Sequence, residues 1–130
     1  MPIIFVYGIP SAAGQEYLLT LCTRLRERAA SIPELCLHEE QVSVFFPTDL
    51  LQTGLGEEVI IFVRGLFEKP ERTQEVRDRL AQALIDCAGS CIFGLPDLGN
   101  PNLIECFVES FNPTSGFASK SIAATEPSRE

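Results

Sequence analysis

Hydrophobic positions along the chain fall into two copies of one pattern. The first copy opens with Ile3-Ile4-Phe5-Val6-Tyr7, an unbroken apolar run. Such a run predicts a strand with two dry faces, where strict alternation would predict one wet face. Gly8 to Gly14 reads as a loop and helix start, with Ser11 as the N-cap. Tyr17, Leu18, Leu21, Cys22, Leu25, Ala29 and Ile32 recur at steps of three and four, the period of an amphipathic helix of about five turns. Arg24, Arg26, Glu27 and Arg28 fall on its wet side, and Pro33 ends it. His38-Glu39-Glu40 lead into a second strand, Gln41 to Phe46, which Pro47 stops. Thr48 to Glu58, with Gly54 and Gly56, reads as a loop or hairpin.

The second copy starts at Ile60-Ile61-Phe62-Val63-Arg64-Gly65-Leu66, which matches Ile3 to Ile9 with five identities at a constant offset of 57. A loop from Phe67 to Arg72 precedes a helix that starts at Thr73, with Val76, Leu80, Ala83, Leu84 and Cys87 as its apolar stripe. A Gly-, Pro- and Asn-rich connection from Gly94 to Asn102 leads into a last strand, Leu103 to Val108. Repetition at this period, with about 60 residues per unit, indicates an internal duplication. The expected fold class is α+β: two β-α-β units with right-handed crossovers form a four-stranded mixed sheet, and two helices lie on one face. One domain is expected over residues 1–117, with pseudo-repeats at about 2–50 and 59–113. Small and polar residues from Ala118 onward suggest a flexible tail over 118–130.

Two helices can cover only one face of a four-stranded sheet. Both faces of the first strand are poorly suited to water: Pro2, Ile4 and Val6 on one, Ile3, Phe5 and Tyr7 on the other. Further copies of the chain are the simplest cover for the second face.

Composition narrows the function. A chain of 130 residues with 45% apolar and 22% charged residues is large and apolar enough for a real core. Its net charge of −8 argues against nucleic acid or an anionic membrane as partner. A small anionic substrate stays compatible, because a few local cations outweigh a distant negative average. No apolar run reaches the ~20 residues of a membrane span. The opening run lacks the basic region and cleavage site of a signal peptide, so a cytoplasmic protein is expected. The five cysteines are odd in number and lie mostly within apolar patterns. Cys87 and Cys91 have no His or second Cys pair to complete a zinc set, so reduced, buried thiols and no metal are expected.

The residue with most chemical promise is Pro2. It follows the initiator methionine and has the small side chain that favours methionine removal. Trimming would leave a secondary amine at the mouth of an uncharged strand. A free α-amino group has a pKa of roughly 8, and apolar burial or a nearby cation lowers it. Such an amine can act as a general base near neutral pH. The alternative is that Pro2 only opens a strand, where a missing N–H costs little.

A duplicated β-α-β unit with proline at position 2 resembles the tautomerase superfamily of N-terminal-proline enzymes, over residues 2 to about 117. Ile61 to Leu66, Leu80-Ala81-Gln82 and Ile85-Asp86 look like the cis-3-chloroacrylic acid dehalogenase branch. Phe67 to Thr73 is similar to the two-arginine loop that this branch shares with malonate semialdehyde decarboxylase. Glu109 to Thr114 is similar to the ending of 5-carboxymethyl-2-hydroxymuconate isomerase. The resemblance implies a homotrimer and a cofactor-free tautomerase or isomerase acting on a small 2-oxo acid. In it Pro2 is the base and Arg72 binds the substrate carboxylate. Lys69 stands where the loop's other arginine would be, replacing a bidentate fork by a point charge. Arg64 replaces a histidine and would add a third cation, or else simply pair with a neighbouring Glu. Glu109 is the candidate water-activating carboxylate, with Glu39 and Glu40 as alternatives. Phe107, Phe111 and Phe117 offer walls for an apolar pocket, with core packing as the alternative role. His38 falls after the first helix and does not match the histidine that the dehalogenase carries within it. Two other readings stand beside this one: a non-catalytic trimeric binding protein, and a dehalogenase, hydratase or decarboxylase of three-carbon acids.

Overall fold

The two apolar runs pair with each other. In the computed structural model, which describes residues 2–9, 13–47, 58–92 and 103–122, Ile3–Tyr7 forms β1 and Glu58–Phe67 forms β3. They run antiparallel, with Phe5 opposite Phe62. Each run also pairs parallel with the strand closing its own half: β1 with β2 (Ser43–Phe45) and β3 with β4 (Leu103–Phe111). The sheet order is β2-β1-β3-β4. Parallel pairing within each half requires a crossover. The helices α1 (Gln15–Ala30) and α2 (Gln74–Ile92) lie in these two connections. This is the expected duplicated α+β architecture.

Alternation decides which face is dry. Ile4 and Val6 of β1 and Val59, Ile61 and Val63 of β3 are buried beneath the helices. Leu21, Leu25 and Ala29 of α1, and Val76, Leu80, Leu84, Cys87 and Ala88 of α2, meet them in one core. Each fully buried aliphatic side chain here contributes about 1.5–3 kcal/mol. No helix among the described residues covers the other face. It carries a row of rings across all four strands: Phe45 to Phe5 at 5.7 Å, Phe5 to Tyr7 at 6.4 Å, Tyr7 to Phe62 at 5.8 Å and Phe62 to Phe107 at 5.2 Å. Phe45 and Phe107 are half exposed. No helix among the described residues is long and apolar enough to cross a membrane.

Several boundaries differ from the sequence expectation. The first helix begins at Gln15 with Gly14 as N-cap and no side-chain cap; Ser11 lies outside the described residues. It stops at Ala30, because Pro33 holds Ile32 extended at φ −89°, ψ 109°. Ile32 still reaches the core from beyond the helix. The second strand is three residues long, since Glu39–Gln41 winds into a 3-10 turn closed by a His38/Gln41 capping box. The last strand extends past Val108 to Phe111, where Phe67 pairs with it. Thr73, where the sequence reading starts the helix, lies just ahead of α2 and accepts the Val76 N–H at 3.3 Å. The expected connections over 48–57 and 94–102, and residues 123–130 of the expected tail, lie outside the described residues. All five cysteines are free.

The repeated glycines do matching work. Gly8 and Gly65, identical at the 57-residue offset, both take positive φ, +96° and +73°. A Cβ on Gly8 would run into the Glu58 carbonyl. Gly8→Ala combines that clash with a left-handed backbone and should cost about 2 kcal/mol or more of stability. Gly89→Ala, in α2 with only an ordinary 3.9 Å contact to Ile104, should stabilise by about 0.5–1 kcal/mol. Denaturant unfolding of both variants checks the contrast, and equal midpoints would contradict it.

Candidate active site

Three of the expected residues meet at the N-terminal end of β1. Pro2 is buried, and its carbonyl accepts the Ser43 N–H at 3.2 Å, which ties it to the start of β2. On its other side β3 bulges between Val63 and Leu66. The bulge changes the inward–outward phase of the strand, so that Val63 and Leu66 are both buried. Gly65 sits within the bulge and, having no side chain, leaves room beside Pro2. The result is a pocket of about 110 Å³ lined by Pro2, Lys69 and Arg72, with Gly65 and Phe67 from β3. Cys36, Leu37 and Gln41, from the segment after α1, complete the lining.

Arg72 precedes α2, yet it is no solvated helix start. It is the one buried charged side chain among the described residues, at 6% exposure. Its two terminal nitrogens donate to the carbonyls of Phe67 (2.9 Å) and Leu35 (2.8 Å). The guanidinium thus clasps β3 to the 3-10 turn Pro33–Leu35, the two walls of the pocket. Its Nε is buried without a hydrogen-bond partner among the described residues. Burial pulls its pKa below the usual arginine value, with Cys36 and Glu71 acting in the opposite direction. No carboxylate forms an ion pair with it among the described residues. A buried cation without an anion is costly, and the site is biased toward a negative guest. Lys69 adds an exposed ammonium on the same lining, also without an ion-pair partner among the described residues. Its carbonyl accepts the Arg72 N–H at 2.9 Å, closing the turn that fixes the two cations relative to each other.

The remaining expected residues lie elsewhere. Arg64 and Glu109 pair with each other at 3.7 Å, both about half exposed. The Arg64 guanidinium also lies 4.7 Å from the Phe62 ring and 5.7 Å from Phe5, over the open sheet face. Phe107 lies in that face against Phe62. Together with Glu109 it borders a separate hollow of about 440 Å³ toward Arg77 of α2. Phe111 is not part of the Pro2 pocket lining; its ring lies tilted against Phe67 at 6.1 Å, while Phe117 meets Phe67 edge-on at 4.9 Å. Glu39 and Glu40 line a third, open hollow with Arg26 and His38. Cys36, Leu37 and Gln41 were absent from the sequence-based set. A signal for them existed, since Gln41 stands three residues after His38 at capping-box spacing and Pro33 forces a turn ahead of Cys36.

No family model and no curated protein matches this sequence. Solved structures do match it. The Q0 fused 4-OT wild-type symmetric trimer superposes with a TM-score of 0.64 at 12% identity, covering 96% of this chain and 98% of that one. Macrophage migration inhibitory factor of Toxoplasma gondii gives 0.62 at 16% identity, covering 92% and 97%. N1, a member of the cis-3-chloroacrylic acid dehalogenase family, gives 0.64 at 13% identity, covering 98% and 89%. Near-complete coverage in both directions means that the whole architecture is shared. The chain therefore has the tautomerase/MIF-like fold, a duplicated β-α-β unit whose four strands form one mixed sheet.

Proposed function

We propose that the chain is a tautomerase-superfamily enzyme that interconverts the keto and enol forms of a small 2-oxo acid without a cofactor. Removal of Met1 turns the Pro2 nitrogen into a secondary amine in the pocket. The amine takes a proton from the substrate and returns it to another position. Lys69 and Arg72 hold the carboxylate and offset the charge that grows on the enolate oxygen. The observation that carries this reading is the buried Arg72 guanidinium, without a carboxylate of its own among the described residues, on the same pocket wall as Pro2. Glu109 is engaged by Arg64 outside that pocket, which favours proton transfer over the water-adding chemistry of a hydratase or dehalogenase. Processed protein should ketonise a 2-hydroxydienoate or a phenylenolpyruvate-type substrate at a rate that chelators do not change. No rate above background on either would count against the reading.

The engagement of both terminal Arg72 nitrogens by main-chain carbonyls supports a second reading, a binding protein that holds an oxo acid without turning it over. Saturable binding without turnover in the same assay would favour it.

The working unit in either reading is a homotrimer. The ring-studded open face supports this, as does the shared fold of the fused 4-OT symmetric trimer. Light scattering should give three times the 14.3 kDa chain mass. A stable monomer at micromolar concentration would contradict it.

A further inference from the structure

The pocket that holds Pro2 also holds a thiol. Of the five cysteines, Cys36 alone is exposed. Burial pushes the Cys87 and Cys106 thiols up to about 11 and about 12, which keeps those two inert near neutral pH. Cys36 is also held in place. It takes the left-handed conformation at φ 52°, ψ 48°, capping the 3-10 turn. Its N–H and its thiol both donate to the Pro33 carbonyl, at 3.1 Å and 3.4 Å. Arg72 anchors the preceding residue through the Leu35 carbonyl. Cys36 thus shares a small pocket with Arg72, 6% exposed, whose Nε lacks a partner among the described residues, and with the Lys69 ammonium.

We propose that Cys36 is a modification site for small carboxylate-bearing electrophiles, which Arg72 and Lys69 draw into the pocket and the Cys36 sulfur captures. The ligand class is an α,β-unsaturated carboxylate. The sulfur attacks the β-carbon and a C–S bond forms. The π pair moves to the α-carbon, which takes up a proton equivalent to the one lost by the thiol. The sum is addition of S–H across C=C, with no outside oxidant or reductant. The adduct fills a space of about 110 Å³ and closes the site. This rests on the pocket being an anion site, as proposed above, and not on Pro2 acting as a base.

Competing alkylation tests it. Iodoacetate and iodoacetamide deliver nearly the same carbon to sulfur, displacing iodide, but only iodoacetate carries a carboxylate. Peptide mapping by mass spectrometry after brief treatment should show the iodoacetate-to-iodoacetamide rate ratio at Cys36 about tenfold above that of a free peptide of residues 33–39, as expected for a cation-lined cleft. Lys69→Ala, at an exposed position, should lower that ratio several-fold. A ratio equal to that of the peptide, or one unmoved by Lys69→Ala, would overturn the proposal. Protein with Met1 retained should show the same selectivity. Selective capture without tautomerase activity would therefore sink only the catalytic reading, and turnover with an unselective Cys36 would sink only this one.

Discussion

Arg72→Ala should lower kcat/KM by about 2–4 kcal/mol, roughly 30- to 1,000-fold, with most of the loss in KM if the guanidinium holds the substrate carboxylate in ground and transition states alike. The same change should lower stability. It removes the donor from the part-buried Phe67 carbonyl and the buried Leu35 carbonyl, which Arg72 now satisfies at 2.9 and 2.8 Å, and each hydrogen bond from a charged donor contributes about 1.5–3 kcal/mol. The net loss is smaller than the sum, because removing a buried cation also relieves its desolvation. About 2–4 kcal/mol is expected, within the 5–15 kcal/mol of a typical domain. Arg72→Lys separates the two effects. It keeps the charge, but a single ammonium cannot span both carbonyls as the planar fork does. It should recover more of kcat/KM than of stability. Steady-state kinetics well below the unfolding temperature, with denaturant curves on both variants, checks this. A fully active Arg72→Ala protein would remove the residue from substrate binding.

The fold was legible wherever periodicity carries the information. The repeat of Ile3–Ile9 at Ile60–Leu66 located the two central strands, and three- and four-residue steps located both helices. Legibility fails between Pro33 and Gln41, where no period operates. There a proline, a left-handed cysteine and a capping box set the path, and three pocket residues come from this stretch. The candidate site was legible in part for a related reason. Pro2, Lys69 and Arg72 lie at element ends that the duplication fixes, and they meet in space. Arg64 and Glu109 were grouped with them through the family resemblance, but simple alternation cannot reveal the bulge at Gly65. Arg64 precedes it on the open face, while the residues that follow line the pocket. Arg72 carries more than the resemblance implies. Beside the expected carboxylate-binding role, the structure gives it a second one as a clamp between two walls.

The largest effect is expected at the N-terminus. A residue placed ahead of Pro2, including a retained Met1, turns the amine into an amide. An amide nitrogen has no basic lone pair at any working pH, so turnover should fall to background although every side chain of the pocket stays in place. Pro2→Ala keeps a primary amine there and should keep partial activity. In processed protein, kcat/KM should rise with pH at an apparent pKa below the ~8 of a free α-amino group, because apolar burial and nearby cations both disfavour the protonated amine. The measurement that tests the central claim most directly compares kcat/KM for processed and N-terminally extended protein, each verified by intact mass. Turnover is expected only in the processed form, with oligomeric state and unfolding temperature alike in both. Equal turnover in the two would contradict it and remove Pro2 from the base role.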